Sequence, residues 1–356
     1  MTEPLTISLH AVSVRRGRKW VLRDIHWRLK PGERWALLGD NGAGKTQLLK
    51  LLSGDVWPTP GAAGAARRYR QGRRPVELID AKSRIAYVGA EQQDKYARYG
   101  WNLRVRDLIA TGLHRTDLLL RPITAAEAAR VTALLRACGL RRHAGREFLS
   151  LSYGQKRLAL LARALVQHPD WLLLDEPYNG LDGAYRRRID RVLDGARRRG
   201  QSWVATAHRA VDVPRGTGRL LELDAGEVHA LKRVQAADLA RLRRRAGEGR
   251  RDPGRATPQA KAAKRGSGAV LVQLSQVDLF VDYRPVLRKL NWRLRQGEHW
   301  AVYGANGSGK SSFLKLLYGD LSPALDGRID RSGFAQGTPI AEWKRQVGFV
   351  SPELQG

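Results

Sequence analysis

The chain has a single cysteine, Cys138, among its 356 residues, so no disulfide framework can staple it. That scarcity fits a reducing compartment. Cys138 itself reads as a small buried hydrophobe in the helical segment VTALLRACGL, with a reactive thiol as the alternative. Long apolar runs are also missing: no stretch approaches the roughly 18 uninterrupted apolar residues that span a bilayer. The opening residues MTEPLTISLH lack the basic start and apolar core of a secretory signal. A cytoplasmic protein is expected, at most peripheral on the cytoplasmic face of the inner membrane. Acidic residues are scarce, 34 against 64 Lys and Arg, which leaves a net charge of +30. Such a surplus attracts RNA, DNA or an anionic membrane surface, and a nucleic-acid or ribosomal partner stays open. The basic residues are mostly Arg, however, and are scattered among abundant Ala, as a genome-wide composition bias would leave them. With 42% hydrophobic residues the chain is not disordered, and its length allows two buried cores.

The densest basic run, LARLRRRAGEGRRDPGRATPQAKAAKRGSG over residues 239–268, is rich in Gly, Pro, Ala and charge. It reads as a solvated linker, helical at its start and disordered after Gly247. On either side lies the same text. VLRDIHWRLKPGERWALLGDNGAGKTQLLKLLSGD (21–55) matches VLRKLNWRLRQGEHWAVYGANGSGKSSFLKLLYGD (286–320) without a gap, and about half the positions are identical. RIAYVGAEQQ (84–93) and QVGFVSPELQ (346–355) continue the correspondence, which stops with the chain at Gly356.

Each copy reads as strand, glycine loop, helix. Trp35–Leu38 and Trp300–Tyr303 are short apolar runs suited to buried strands, and Lys45–Leu52 and Lys310–Leu317 carry apolar residues at helical spacing. The loops between them, GDNGAGKT (Gly39–Thr46) and GANGSGKS (Gly304–Ser311), fit GxxxxGK[ST]. Glycines let the backbone wrap a phosphate and aim N–H groups at it from a helix N-terminus. The candidate nucleotide-binding residues are therefore Gly39, Asn41, Gly42, Gly44, Lys45, Thr46 and Gln47, and Gly304, Asn306, Gly307, Gly309, Lys310, Ser311 and Ser312. Lys45 and Lys310 are placed to reach the β and γ phosphates, and Thr46 and Ser311 to ligate Mg²⁺.

The first copy carries more. WLLLDEP (171–177) is an apolar strand ending in two carboxylates, with Asp175 suited to hold Mg²⁺ through water and Glu176 to polarise an attacking water. An acidic pair after a strand is by itself an ordinary surface feature. Here LSYGQKR (151–157) lies upstream, and HRA (208–210) follows the apolar run SWVATA downstream.

In that order these segments resemble the ATP-binding cassette ATPases. LSYGQ is similar to their LSGGQ signature, with Tyr153 replacing the first glycine. The resemblance implies an α/β P-loop fold of that type, with a parallel-sheet core, an antiparallel β subdomain and an inserted helical subdomain, duplicated here with the second copy cut short. It implies ATP and Mg²⁺ as ligands and ATP hydrolysis as the activity. It makes Ser152, Gly154 and Gln155 the signature residues that face the γ phosphate held by an opposite domain, His208 a γ-phosphate contact, and Asp182 in NGLD an interface residue. The family's glutamine before the helical subdomain is supplied by Gln92 or Gln93, and alignment with Gln355 favours Gln93. The adenine-stacking ring is not obvious in the first copy, where Arg15 and Arg16 occupy its place and Trp20 is nearest. Phe280 or Tyr283 would serve in the second.

The expected layout is a complete cassette over 5–230, a basic linker over 231–269 and the start of a second cassette over 270–356. Residues 95–165 form the inserted helical subdomain, with Thr124 and Glu127 as a capping box before a helix over 125–138. The wording of the second copy, WKRQVGFVSPELQ, together with the Trp35 and Trp300 runs, resembles the molybdate-transport-like tandem ATP-binding proteins, some called photorepair proteins. That implies the ATP-binding component of a transport-related system, with a membrane permease encoded elsewhere. The ABC-F translation factors, two cassettes on a long basic helical linker, are the alternative. In this family one domain's phosphate loop is completed by another's signature, and neither site can be completed within these residues. The chain is thus expected to be a shortened tandem protein, or to act as a homodimer of first copies or with a missing second half.

Overall fold

The structure is a computed structural model that describes residues 3–61, 64–234, 268–281, 284–304, 308–324, 326–335 and 338–350. It divides into two units, residues 1–251 and 252–356. Of the expected linker over 231–269, residues 235–267 lie outside the described residues, as do Tyr283, Asn306, Gly307 and Gln355, while 231–233 belong to a strand that runs from Glu227 to Arg233.

In the first unit, β1 (Leu5–Arg16) and β2 (Lys19–Leu29) form an antiparallel hairpin. Leu5, Ile7 and Leu9 of β1 are buried, then Val12 and Val14. The switch from odd to even positions is made by a bulge at Ala11, whose φ of 50° inserts one residue and keeps later apolar side chains on the core side. β3 (Arg34–Leu38) leads through the glycine loop into α1 (Lys45–Ser53). β4 (Ala66–Gln71) and β5 (Arg74–Val76) complete a four-stranded sheet in the order β2-β1-β4-β5. After α2 (Leu78–Lys82) come β6 (Ile85–Val88), α3 (Ala90–Arg98), α4 (Val105–His114), α5 (Ala125–Ala137), α6 (Tyr153–Leu165), β7 (Trp171–Leu174), α7 (Gly183–Arg198), β8 (Ser202–Ala207), β9 (Arg219–Asp224) and β10 (Glu227–Arg233). The second sheet runs β10-β9-β3-β8-β7-β6, parallel from β9 to β6 with β10 antiparallel at its edge. Every residue of β7 and β8 is buried, because both faces of a parallel sheet are covered.

The inserted helices pack Val105, Leu108 and Ile109 of α4 and Val131 and Leu135 of α5 around Leu158, Leu161 and Leu165 of α6. Cys138 closes α5 and is fully buried; burial pushes its thiol up to about 12, which makes it a hydrophobe and not a nucleophile. The capping box forms: Thr124 Oγ1 accepts from the Glu127 N–H at 3.3 Å, and Glu127 Oε2 accepts from the Thr124 N–H at 2.8 Å. The Thr124 N–H, then the Arg121 guanidinium, hold the Glu127 carboxyl down at about 2 against an ordinary 4.5. A carboxyl whose pKa falls on folding contributes stability above its unfolded value and loses it as pH drops through the folded one. We expect this helix start to loosen between about pH 4.5 and 2, with a Glu127 NMR titration midpoint near the lower end; a midpoint at the ordinary value would mean the box does not persist in solution.

The second unit repeats the opening of the first. β11 (Val270–Val281), β12 (Arg284–Arg295) and β13 (Arg328–Arg331) form a sheet in the order β12-β11-β13, with helices Lys310–Tyr318 and Ile340–Lys344. The bulges recur: Gln276 and Lys289 carry φ of 48° and 44°, where the first unit has Ala11 at 50° and Asp24 at 44°. Val272, Leu274, Val277, Leu279, Phe313 and Leu316 make its core.

One expectation fails here. Trp300–Tyr303 forms no strand, and Trp300, Val302 and Tyr303 are exposed, Tyr303 by 78%. In the first unit the matching β3 is held between β8 and β9. Among the described residues the second unit has no such pair, and a strand without neighbours leaves its backbone unpaired.

Candidate active site

Two glycines of the first loop are dictated by geometry. A Cβ on Gly39 would sit 2.2 Å from the Leu223 carbonyl oxygen of β9, and Gly44, with φ 97°, would press one within 2.7 Å of the Val21 carbonyl oxygen. Gly42, φ 84°, faces open space, so the loop turns there without filling its own concavity. Lys45 begins α1 and folds back over the loop. Its Nζ donates to the carbonyls of Gly39 at 2.7 Å and Asp40 at 2.8 Å. Burial lowers its pKa, while Glu176, Asp175 and Asp40 pull the other way.

Lys45 Nζ also lies 3.2 Å from His208 Nδ1, and His208 Nε2 lies 2.5 Å from Glu176 Oε1. An ammonium only donates, so Nδ1 accepts and Nε2 carries the proton given to Glu176; this hydrogen-bond network assigns the tautomer. Glu176 has φ 46°, an unusual conformation for a residue with a side chain, and Asn179 Nδ2 donates to its Oε2 at 2.9 Å. Beside this chain, three hydroxyls converge on Asp175. Thr46 Oγ1 and the Tyr87 hydroxyl each donate to Oδ2 at 2.8 Å, and Thr206 Oγ1 donates to Oδ1 at 2.7 Å while accepting the Glu176 N–H at 2.8 Å. Burial, reinforced by Asp175, pushes the Tyr87 phenol up, so it remains a donor. Lys45, Thr46, Asp175, Glu176 and His208 therefore meet at the ends of three adjacent parallel strands, where open α/β sheets bind ligands.

Ser152 caps α6: its Oγ accepts from the Gln155 N–H at 3.4 Å and Gln155 Oε1 accepts from the Ser152 N–H at 2.9 Å. Tyr185 lies across this turn, its hydroxyl 3.2 Å from Ser152 Oγ and its ring where a Cβ on Gly154 would be 2.5 Å away. Asp182 caps α7 by accepting from the Ala184 and Tyr185 N–H groups, both at 3.0 Å. Tyr153 packs on Gly180 and accepts from Arg157 at 3.3 and 3.1 Å. Two tyrosines thus tie the signature turn to α7 and the segment before it: Tyr185 from the first turn of α7, and Tyr153 onto Gly180. Ser152, Gly154 and Gln155 make no described hydrogen bond to the phosphate loop, Asp175 or Glu176.

Gln92 and Gln93 lie in α3 and not in a loop, and neither bonds to Thr46 or Asp175. Gln93 Oε1 is buried without a partner, as is Gln47 Oε1 on α1. Trp20 is partly exposed at the β1–β2 hairpin with the Arg15 guanidinium 5.5 Å over its ring. In the second unit Gly309 again takes a left-handed φ of 88°, and Lys310 Nζ donates to the Gly304 carbonyl at 2.9 Å. Ser311 is exposed and Ser312 partly buried, with no acidic strand beside them among the described residues. Phe280 is half exposed.

Sequence reading missed Tyr87, Thr206 and Tyr185. Thr206 is marked as a hydroxyl in the apolar stretch that follows Ser202 in SWVATA; the other two give no local signal. Among the described residues no group of three or more His, Cys, Asp or Glu can hold a metal ion. One hydroxyl and one carboxylate are what Mg²⁺ takes from protein when nucleotide oxygens and water fill its octahedron, so Thr46 and Asp175 fit it. No helix among the described residues is long and apolar enough to cross a membrane.

The family model described as ABC transporter matches residues 22–179 and 287–355. Over 338 residues the chain is 29% identical to the ABC transporter ATP-binding protein ModF of Escherichia coli (strain K12), covering 92% of this chain and 65% of that protein. Over 177 residues it is 36% identical to the ABC transporter ATP-binding protein YmeB of Lactococcus lactis subsp. lactis (strain IL1403), covering 49% and 66%. The chain thus spans just under two thirds of the length of these relatives. A solved dimeric ATP-binding cassette in a post-hydrolysis state, bound to ADP and Pi, superposes with a TM-score of 0.53 at 20% identity, covering 64% of this chain and 99% of that one. With the family model matching well over half of the residues and the phosphate loop, acidic strand and signature turn in their places, the chain belongs to the ABC transporter family.

Proposed function

We propose that the cassette over residues 5–230, within the first unit, binds ATP at Gly39–Gln47 and hydrolyses it, as the ATP-binding component of a transport-related system. The observation that carries this is the Lys45–His208–Glu176 chain lying against the Thr46–Asp175 pair. ATP displaces Lys45 from its two carbonyls and takes the ammonium on its β and γ phosphates. Thr46 and Asp175 would hold Mg²⁺, which when bound would neutralise phosphate charge. Glu176 then orients water and accepts its proton, and His208 is released toward the γ phosphate. Gln93, whose carbonyl has no protein partner, is suited to join this shell. The start of the second cassette, 270–356, offers a further phosphate loop through Gly304, Gly309, Lys310, Ser311 and Ser312, with 231–269 as the linker.

The signature turn is the part that serves another copy. Ser152, Gly154 and Gln155 sit at the capped start of α6 and make no described hydrogen bond to their own phosphate loop, and Asp182 and Tyr153 stand beside them. The related solved cassette is a dimer, which supports pairing of first units or of the first unit with a domain on another chain. A permease partner would hold the complex on the cytoplasmic face of the membrane. The relatives named above are ATP-binding proteins of transporters, and the ABC-F alternative finds no support among them.

The test is specific ATPase activity against protein concentration, with Glu176→Gln as control. Activity per molecule should rise with concentration and vanish in the variant. Substantial activity independent of concentration would rule out sites shared between chains, and none at any concentration would overturn hydrolysis by this chain on its own.

A further inference from the structure

Of the three hydroxyls on Asp175, those of Thr46 and Thr206 come from the loop helix and the neighbouring strand, whereas Tyr87 reaches in from β6. It can do so because of Gly89. That residue has φ −148° and ψ 176°, ordinary extended backbone open to any amino acid. Yet a Cβ there would lie 2.6 Å from the Tyr87 hydroxyl and 2.8 Å from its Cε1. The glycine is therefore explained by the phenol and not by the backbone. The internal repeat makes the same pairing visible: where the first copy reads Tyr87-Val88-Gly89, the second reads Phe349-Val350-Ser351. The second copy thus lacks both the phenol and the glycine at these positions.

We propose that Tyr87 is a positioning residue for the metal site, admitted by Gly89, whose hydroxyl on Oδ2 holds the Asp175 carboxylate in the orientation a cation needs. This rests on the reading of Thr46 and Asp175 as the metal pair. Thr46 spends its one hydroxyl hydrogen on Asp175 and keeps lone pairs on its oxygen for a cation. It is therefore tied to the cation as well as to Oδ2, whereas Tyr87 on Oδ2 and Thr206 on Oδ1 are donors anchored on strands away from it, one on each oxygen, and fix the carboxylate plane. Without Tyr87 only Thr46 would remain on Oδ2, the carboxyl would turn more freely about its broad χ2, and cation binding would have to order it.

The experiment uses the full chain with a non-hydrolysable ATP analogue, titrating Mn²⁺ and following the free-ion EPR signal. Outer-shell partners typically govern metal affinity by tenfold or more, so Tyr87→Phe should weaken Mn²⁺ binding about tenfold while leaving analogue affinity in EDTA unchanged. Gly89→Ala, which keeps the hydroxyl but drives it off Asp175, should do the same. Wild-type Mn²⁺ affinity in Tyr87→Phe, with binding lost in Asp175→Asn, would overturn the role of Tyr87 and leave the metal site standing. Unchanged affinity in Asp175→Asn would remove the metal reading itself, and the proposal with it. Weakening in Gly89→Ala alone would reduce the effect to packing and overturn it equally.

Discussion

Glu176→Gln should abolish turnover while leaving ATP bound. The substitution keeps an oxygen for the proton on His208 Nε2 and stays within reach of Asn179, so the local structure persists. What disappears is the base that receives the proton of water, and removal of a positioned general base costs about 10²–10⁴-fold in rate. Single-turnover hydrolysis should fall by about that factor, with equilibrium nucleotide binding within a few-fold of wild type. More than a tenth of the wild-type rate surviving would mean that another group activates water. The left-handed backbone at Glu176 gives this carboxylate little latitude: the chain turns there at a conformational cost, and the Thr206 bond to its N–H holds the turn.

Lys45→Ala should remove nucleotide affinity itself. In the structure Lys45 is almost fully buried, and its ammonium is satisfied by two loop carbonyls and His208. Phosphate oxygens take over these bonds with full charge. Hydrogen bonds to charged groups are worth about 1.5–3 kcal/mol each, so losing two should weaken ATP binding by about 10²–10⁴-fold. Isothermal titration with Mg-ATP measures this directly. Affinity within tenfold of wild type would show that the loop amides alone hold the phosphates. The variant should fold, because Gly39 and Gly44 shape the loop through contacts with Leu223 and Val21 that do not involve Lys45.

Much of this site is written locally. The phosphate loop, the acidic strand and the signature turn are each a run of adjacent residues whose spacing alone carries meaning, and the capping box at Thr124 formed as read. The misreadings share a different origin. Trp300–Tyr303 has the composition of β3 but lacks described neighbours, and a strand is a property of a pair. Gln93 was picked by alignment with Gln355, which carries no information on the helix Ala90–Arg98 in which it lies. Tyr87, Thr206 and Tyr185 act on residues far away in sequence, at Asp175, Asp175 and Ser152. No window along the chain contains both partners of such a bond. The repeat held one clue, since Tyr87 facing Phe349 marks a hydroxyl that only one copy possesses.

The strand order of the first unit also sets a timetable. β3, which launches the phosphate loop, is flanked by β8 and β9, and Asp224 at the end of β9 leaves the ribosome long after Leu38. At about 5–20 residues per second, the segment waits on the order of 10–40 s for its neighbours. During that interval Trp35, Ala36 and Leu37 are in the position that Trp300, Val302 and Tyr303 show in the second unit, apolar and unclaimed. The glycine loop is therefore among the first parts of the domain to be synthesised and among the last to be secured. Slower translation between α7 and β9 should lengthen its exposure to chaperones and proteases without changing a single contact in the finished protein.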